Sequence, residues 1–328
     1  MLHVNRVHAG DIAALSCLIP LAVAWIAASR AAGIPRRSRT ELLGLLVVMA
    51  GVPVLACYTE AFHPNELLAV AACLGAYATA MRGRVGWTAV LLGFGLATRQ
   101  WVLVAIAVMG VLHRDRARLI VTVGSLACFG VLTTPFILTD PTNASNALVA
   151  KGVVRGGTTA IGLIPMSGQL PYFFSRELPL LATAAACAWL YLRRATLTPE
   201  VAVAGLTLAF AIRPVVDPAG LVYYAAPSYC FFVLMVARSW RWSVGSMAGG
   251  VLLHFRDWIR HRSFRFSHLD KRPPDIAWSF VATSLLVVPV VVAFIRLRAL
   301  LSTTDATRAT GAPGQTGKPV ASADPLPS

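Results

Sequence analysis

Apolar residues along the chain gather into runs at about 12–29, 41–57, 67–81, 86–98, 100–112, 119–138, 178–192, 199–212, 221–237, 243–254 and 276–296. Polar and basic residues are confined mainly to the short stretches between them. A membrane-spanning helix needs roughly 20 apolar residues, fewer where the bilayer thins or the helix does not fully cross. Several runs reach that length and others fall short. The pattern therefore predicts an all-α fold, a polytopic transmembrane helix bundle of about 10–11 helices, several of them short. The multi-spanning domain is expected over 1–301. The tail at 302–328 is rich in Thr, Ala, Gly and Pro and is expected to be disordered.

Composition sharpens the class. The chain is 57% hydrophobic and only 13% charged, more apolar surface than a soluble domain can hide. The net charge of +15 does not point to nucleic acid, because the arginines cluster in turns between apolar runs. These clusters are Arg30/Arg36/Arg37/Arg39, Arg82/Arg84, Arg114/Arg116/Arg118, Arg193/Arg194 and Arg238/Arg241. The positive-inside rule assigns all five to the cytoplasm. Loops 58–66, 139–177 and 213–220 then face outward, the N-terminus lies outside and the tail inside. The number of spans that follow makes 12–29 a first membrane helix rather than a signal peptide. The segment 86–112 lies between two basic turns yet is too short for two full spans, which would need roughly 40 residues. It reads as two short helices with a polar tip, "ATRQW" at 97–101, at the floor of a cavity open to the outer side. The basic stretch 255–274 breaks the alternation, as an interfacial segment or because 243–254 does not cross. The six cysteines lie in or beside apolar runs with no CxxC spacing, and read as small buried hydrophobes.

Candidate chemistry concentrates in a few outer stretches. "YTEAFHPNE", 58–66, contains Glu60, His63 and Glu66, and Pro64 suits the first turn of the following helix. Glu66 either complements that helix's dipole or lines a site with Glu60 and His63, where an imidazole and carboxylates serve acid–base chemistry or bind a sugar hydroxyl. Arg99 with Gln100 either snorkels to headgroups or offers a planar fork to a phosphate. "RPVVDPAGLVYY" carries Arg213, Asp217, Tyr223 and Tyr224, either a turn with interfacial tyrosines or a buried Arg–Asp pair beside a cavity. In the loop 139–177, Lys151 and Arg155 stand among glycines and are candidates to grip an anionic headgroup.

Three stretches, "HPNELLAVAACLGAYATAMRGR", "LLGFGLATRQWVLVAIAVMGVL" and "IRPVVDPAGLVYYAAPSYCFFVLMVA", resemble bacterial multi-spanning proteins related to the GT-C glycosyltransferases. The nearest functional branch is the polyprenyl-phosphate-mannose-dependent mannosyltransferases. The resemblance covers roughly 60–240. Its first motif keeps His63, Pro64 and Glu66, with Asn65 in place of an acid. Its second keeps Ala97, Thr98, Gln100 and Trp101, with Arg99 in place of Lys. Its third keeps Asp217, Pro218, Tyr223 and Tyr224, with Ala219 and Gly220 in place of Trp-Asn.

The resemblance implies sugar transfer from a polyprenyl-phosphate donor to a glycan or glycolipid acceptor at the outer face of a bacterial plasma membrane. A membrane lipid is then a partner and nucleic acid is not. No cofactor is required, and a divalent metal remains possible. Arg99, and after it Lys151 and Arg155, would meet the phosphate. Glu60, Glu66 and Asp11 are the base candidates, with His63 in support. Relatives begin with a cytoplasmic helix and an outer loop holding a catalytic acid; the resemblance implies that this sequence begins near the end of that loop, with Asp11 as the acid before the first span. The competing expectations are a transporter or flippase for a lipid-linked or anionic substrate, and an inactive truncated paralogue.

Overall fold

A computed structural model describes residues 2–59, 63–143, 161, 170, 173–217, 222–237, 239, 241, 244–249, 251–252 and 273–309; for 2–15, 58–59, 222, 273–278 and 304–309 it describes the backbone alone. The described residues form an all-α bundle. Its helices are α1 (Leu2–Ala31), α2 (Arg39–Met49), α3 (Val52–Thr59), α4 (Pro64–Met81), α5 (Val85–Thr98), α6 (Leu103–Leu112), α7 (Asp115–Thr139), α8 (Leu178–Leu192), α9 (Pro199–Val216), α10 (Ala226–Val236) and α11 (Pro273–Ala309). Short 3-10 turns, Gln100–Val102 and Val222–Ala225, join α5 to α6 and lead into α10, and a π-helical turn, Phe173–Glu177, precedes α8.

Packing centres on α4 and α9. Helix α1 lies along α4, α4 against α5, and α5 against α7, while α9 packs on α6, α8, α10 and α11. Trp25, Tyr77, Leu74, Leu92, Ile106, Leu206 and Phe231 are sealed between them. Small residues allow the closest approaches. A Cβ on Gly93 would sit 2.6 Å from the Ser125 carbonyl oxygen of α7, and one on Gly44 would sit 2.4 Å from the Trp25 ring.

Four stretches are long and apolar enough to cross a membrane: Arg39–Cys57, Asp115–Thr139, Pro199–Val216 and Ser279–Thr303. Two of these are covered by very little protein. Along α7, Val131, Phe136 and Leu138 are more than 70% exposed, and along α11 Phe280, Phe294 and Ile295 are exposed. Apolar faces of that extent suit a lipid solvent, which supports membrane and transmembrane-helix character.

The boundaries differ from expectation in four places. The first helix begins at Leu2 rather than near 12, because hydropathy marks only the apolar part of a helix and no proline interrupts 2–19. The run 41–57 is broken at Ala50–Gly51. Pro53 lacks an N–H, and the Tyr229 ring occupies the break so closely that a Cβ on Gly51 would lie 2.3 Å from it. The outer loop expected at 213–220 begins later, since α9 continues to Val216 with Pro214 inside it. Of the tail expected over 302–328, residues 302–309 are helical, since α11 continues to Ala309, and 310–328 lie outside the described residues.

Candidate functional site

Three segments distant in sequence meet at one end of the bundle: the start of α4, the α5–α6 junction, and the end of α9 with the turn that follows. Each is built by a local interruption. At α4, Pro64 stands at the first helical position, where its missing N–H costs no hydrogen bond, and His63 is the N-cap. At the junction, α5 stops because Arg99 is extended (φ −150°, ψ 126°), and the 3-10 turn Gln100–Val102 restarts the helix as α6. The polar tip read at 97–101 is therefore a helix interruption at Arg99 between two short helices. At α9, the helix ends on Asp217, whose N–H donates to the Arg213 carbonyl at 2.9 Å.

Glu66 is the centre of the first pairing. Its side chain is only 3% exposed, and both carboxylate oxygens are engaged. Oε1 lies 3.0 Å from Arg99 Nε. That nitrogen has no aligned hydrogen-bond acceptor, so the contact is a charge pair rather than a directed bond. Oε2 accepts the Trp101 indole N–H at 2.6 Å. Arg99 Nη2 donates to Asn65 Oδ1 at 3.1 Å. The fork of Arg99 is thus held on two sides, while Nη1 meets no partner among the described residues and the side chain stays 26% exposed. Burying a carboxylate is costly unless it is paired, and Arg99 with Trp101 meets that cost at Glu66.

The second pairing involves Arg213 and Asp217, one helical turn apart. Arg213 Nε lies 3.8 Å from Asp217 Oδ2, and Ser175 donates to the same oxygen at 2.9 Å. The Arg213 guanidinium lies over the Tyr224 ring, 4.1 Å from its centroid, a cation–π contact. Asp217 is fully buried, whereas Arg213 keeps 29% of its side chain exposed.

Aromatic rings tie the two pairings together. Tyr223 meets His63 edge-on at 5.1 Å and Tyr224 at 4.6 Å. The Trp101 ring stands edge-on to Phe210 at 5.3 Å, and Phe210 leans on Phe231 in the core. The Arg213 charge is near enough to act on Glu66. The result is two carboxylates turned inward and two guanidinium groups partly open at the same end. Such an arrangement suits an anion, because each arginine is oriented by its buried carboxylate while its side chain stays partly exposed.

Of the residues singled out from sequence, the structure brings together His63, Glu66, Arg99, Arg213, Asp217, Tyr223 and Tyr224. Gln100 sits exposed in the turn beside them. Glu60, Lys151 and Arg155 lie outside the described residues, and Asp11 is described only as backbone within α1. The indole of Trp101, the amide of Asn65 and the hydroxyl of Ser175 complete the site without having been singled out. Trp101 stands inside "ATRQW", so the motif was visible but its bond to Glu66 was not, and nothing near Ser175 marks it. Among the described residues no three of His, Cys, Asp and Glu approach closely enough to hold a metal ion. Compared with known proteins, the chain matches no family profile, no curated protein and no solved structure.

Proposed function

We propose that the chain is a multi-pass plasma-membrane glycosyltransferase of GT-C type. It would move a sugar, with mannose the first to test, from a polyprenyl-phosphate donor to a glycan or glycolipid acceptor on the extracytoplasmic face. The observation that supports this reading is the meeting of Arg99 and Arg213, partly open and backed by Glu66 and Asp217, at one end of the bundle. The basic turns 82–84 and 114–118 lie at the other ends of α4, α5, α6 and α7, so the positive-inside rule directs the arginine pair outward.

In the proposed reaction a base takes the proton of the acceptor hydroxyl, whose oxygen attacks the anomeric carbon. The bond from that carbon to the phosphate oxygen breaks, and the phosphate leaves with the electron pair. Arg99 and Arg213 stabilise the charge that gathers on it. Because both Glu66 oxygens are engaged, Glu66 is assigned to hold Arg99 in place, and Glu60 and Asp11 remain the base candidates.

Transfer of labelled sugar from a polyprenyl-phosphate donor in membranes tests the reading. Arg99→Leu is expected to abolish transfer while the protein still accumulates, and Arg99→Lys to keep a fraction of it. Wild-type turnover by Arg99→Leu would leave Arg99 only a structural partner of Glu66 and Asn65. Movement of an intact lipid-linked substrate across the membrane, with no transfer, would favour the transporter class instead.

A further inference from the structure

A cleft lies at the opposite end of the bundle from the arginine–carboxylate cluster. It is a shallow groove, open to the surface, lined by Ile34, Pro199, Glu200, Val203, Met235 and Arg296 among others. The Tyr77 hydroxyl donates to the Pro199 carbonyl at 3.4 Å, which ties this end of α9 to the end of α4 that carries Arg82 and Arg84. From Glu200 to Arg213 along α9 the rise is about 20 Å, so cleft and cluster are separate sites.

Two features of the cleft require explanation. Arg296 lies near the C-terminal end of the apolar stretch Ser279–Thr303 of α11 and is exposed, at the depth of the headgroups rather than of the acyl chains. Its Nη1 donates at 2.9 Å to the Met235 carbonyl, an orphan acceptor in the last turn of α10, and its other N–H groups meet no partner among the described residues. Glu200, in the first turn of α9, faces the same cleft and forms no ion pair with Arg296 or with any other described residue. An acid and a base that share a cleft without touching present separated charges. A ligand carrying a cation and an anion close together satisfies both.

We infer that this cleft binds the headgroup of a zwitterionic phospholipid, one that joins a primary ammonium to a phosphate. Arg296 takes the phosphate through its free N–H groups, and Glu200 accepts hydrogen bonds from the ammonium. The cleft commits to a lipid because α11 reaches Arg296 along an exposed apolar face, with Val291, Phe294 and Ile295 on the preceding turns placed for acyl chains. The basic turns 82–84 set this end of the bundle at the cytoplasmic headgroup layer. A quaternary ammonium has no N–H to donate, so a choline headgroup loses the Glu200 contact while keeping the phosphate contact. The site therefore discriminates between two lipids of equal charge.

The test is lipid retention by the full chain, purified from mixed micelles of phosphatidylethanolamine, phosphatidylcholine and phosphatidylglycerol, and read by mass spectrometry. Wild-type protein is expected to keep the ethanolamine lipid over the choline lipid by about tenfold, the scale of one charge-assisted hydrogen bond. Glu200→Ala alters an exposed side chain and leaves the Thr198 cap of α9 in place. It is expected to bring that ratio close to unity, and Glu200→Asp to restore much of it. Arg296→Gln is expected to lower retention of all three lipids. A wash with soluble phosphoethanolamine should leave the lipid bound, since its chains rest on α11. Displacement by that wash would move the site to a free phospho-amine and overturn the lipid assignment. Equal retention of ethanolamine and choline lipids by wild type, or a preference that survives Glu200→Ala, would overturn the inference outright.

Discussion

The Glu66–Arg99 pair permits a prediction in which the energetics decide the outcome. Removing one partner of a buried ion pair costs about 3–5 kcal/mol, because the other charge is left uncompensated. Here the Glu66 side chain is 3% exposed and Arg99 is 26% exposed, so water already screens part of the interaction. Arg99→Met should then cost about 2–3 kcal/mol of stability, most of it from stranding Glu66 beside Trp101. Glu66→Gln should cost less, about 1 kcal/mol, because an amide oxygen still accepts the indole N–H and Arg99 can turn its open edge further to water. The double variant removes both charges together. It should cost about 1–2 kcal/mol rather than the sum of the singles, which gives a coupling of about 2 kcal/mol. Equilibrium unfolding in mixed detergent micelles, followed by far-ultraviolet circular dichroism, measures all four corners of the cycle. Single costs that add to within about 0.5 kcal/mol would show that the two side chains do not hold one another.

Three further predictions follow from the same geometry. Gly93→Ala should destabilise by about 1–3 kcal/mol, because the new methyl meets the Ser125 backbone oxygen of α7, whereas Gly130→Ala, with nothing near it, should stabilise α7 by up to about 1 kcal/mol; thermal unfolding in detergent ranks them. Gly51→Ala should be strongly destabilising in the same assay, and Tyr229→Ala in the same chain should recover part of the loss, because the obstructing atoms belong to the Tyr229 ring. In a cysteine-free background an impermeant maleimide added to intact cells should label Asp140→Cys and miss Arg116→Cys, both exposed at opposite ends of α7; the reverse pattern would invert the topology.

Much of the architecture was legible in the sequence because a bilayer-sized helix must be apolar along its whole length. The run at 178–192 became α8 with the same bounds, the run at 119–138 fell inside α7, and Pro64 marked the first turn of α4. The interruption at 97–101 was also readable, since two full spans did not fit between the basic turns. Where polar residues continue a helix, hydropathy gave no warning, so the start of α1 and the ends of α9 and α11 were placed short. Composition marked His63, Glu66, Arg99, Arg213 and Asp217 as unusual in so apolar a chain, but it left each of them a bland alternative. Only the packing of α4, α5 and α9 decided that Glu66 faces Arg99 and Trp101 rather than an open site. The physical reason is range. Helix periodicity and caps are set by residues three or four apart, whereas the Glu66–Trp101 bond joins positions 35 apart and the Ser175–Asp217 bond joins positions 42 apart. Contacts at such separations depend on how whole helices pack, so no local pattern in the chain encodes which carboxylate closes on which cation.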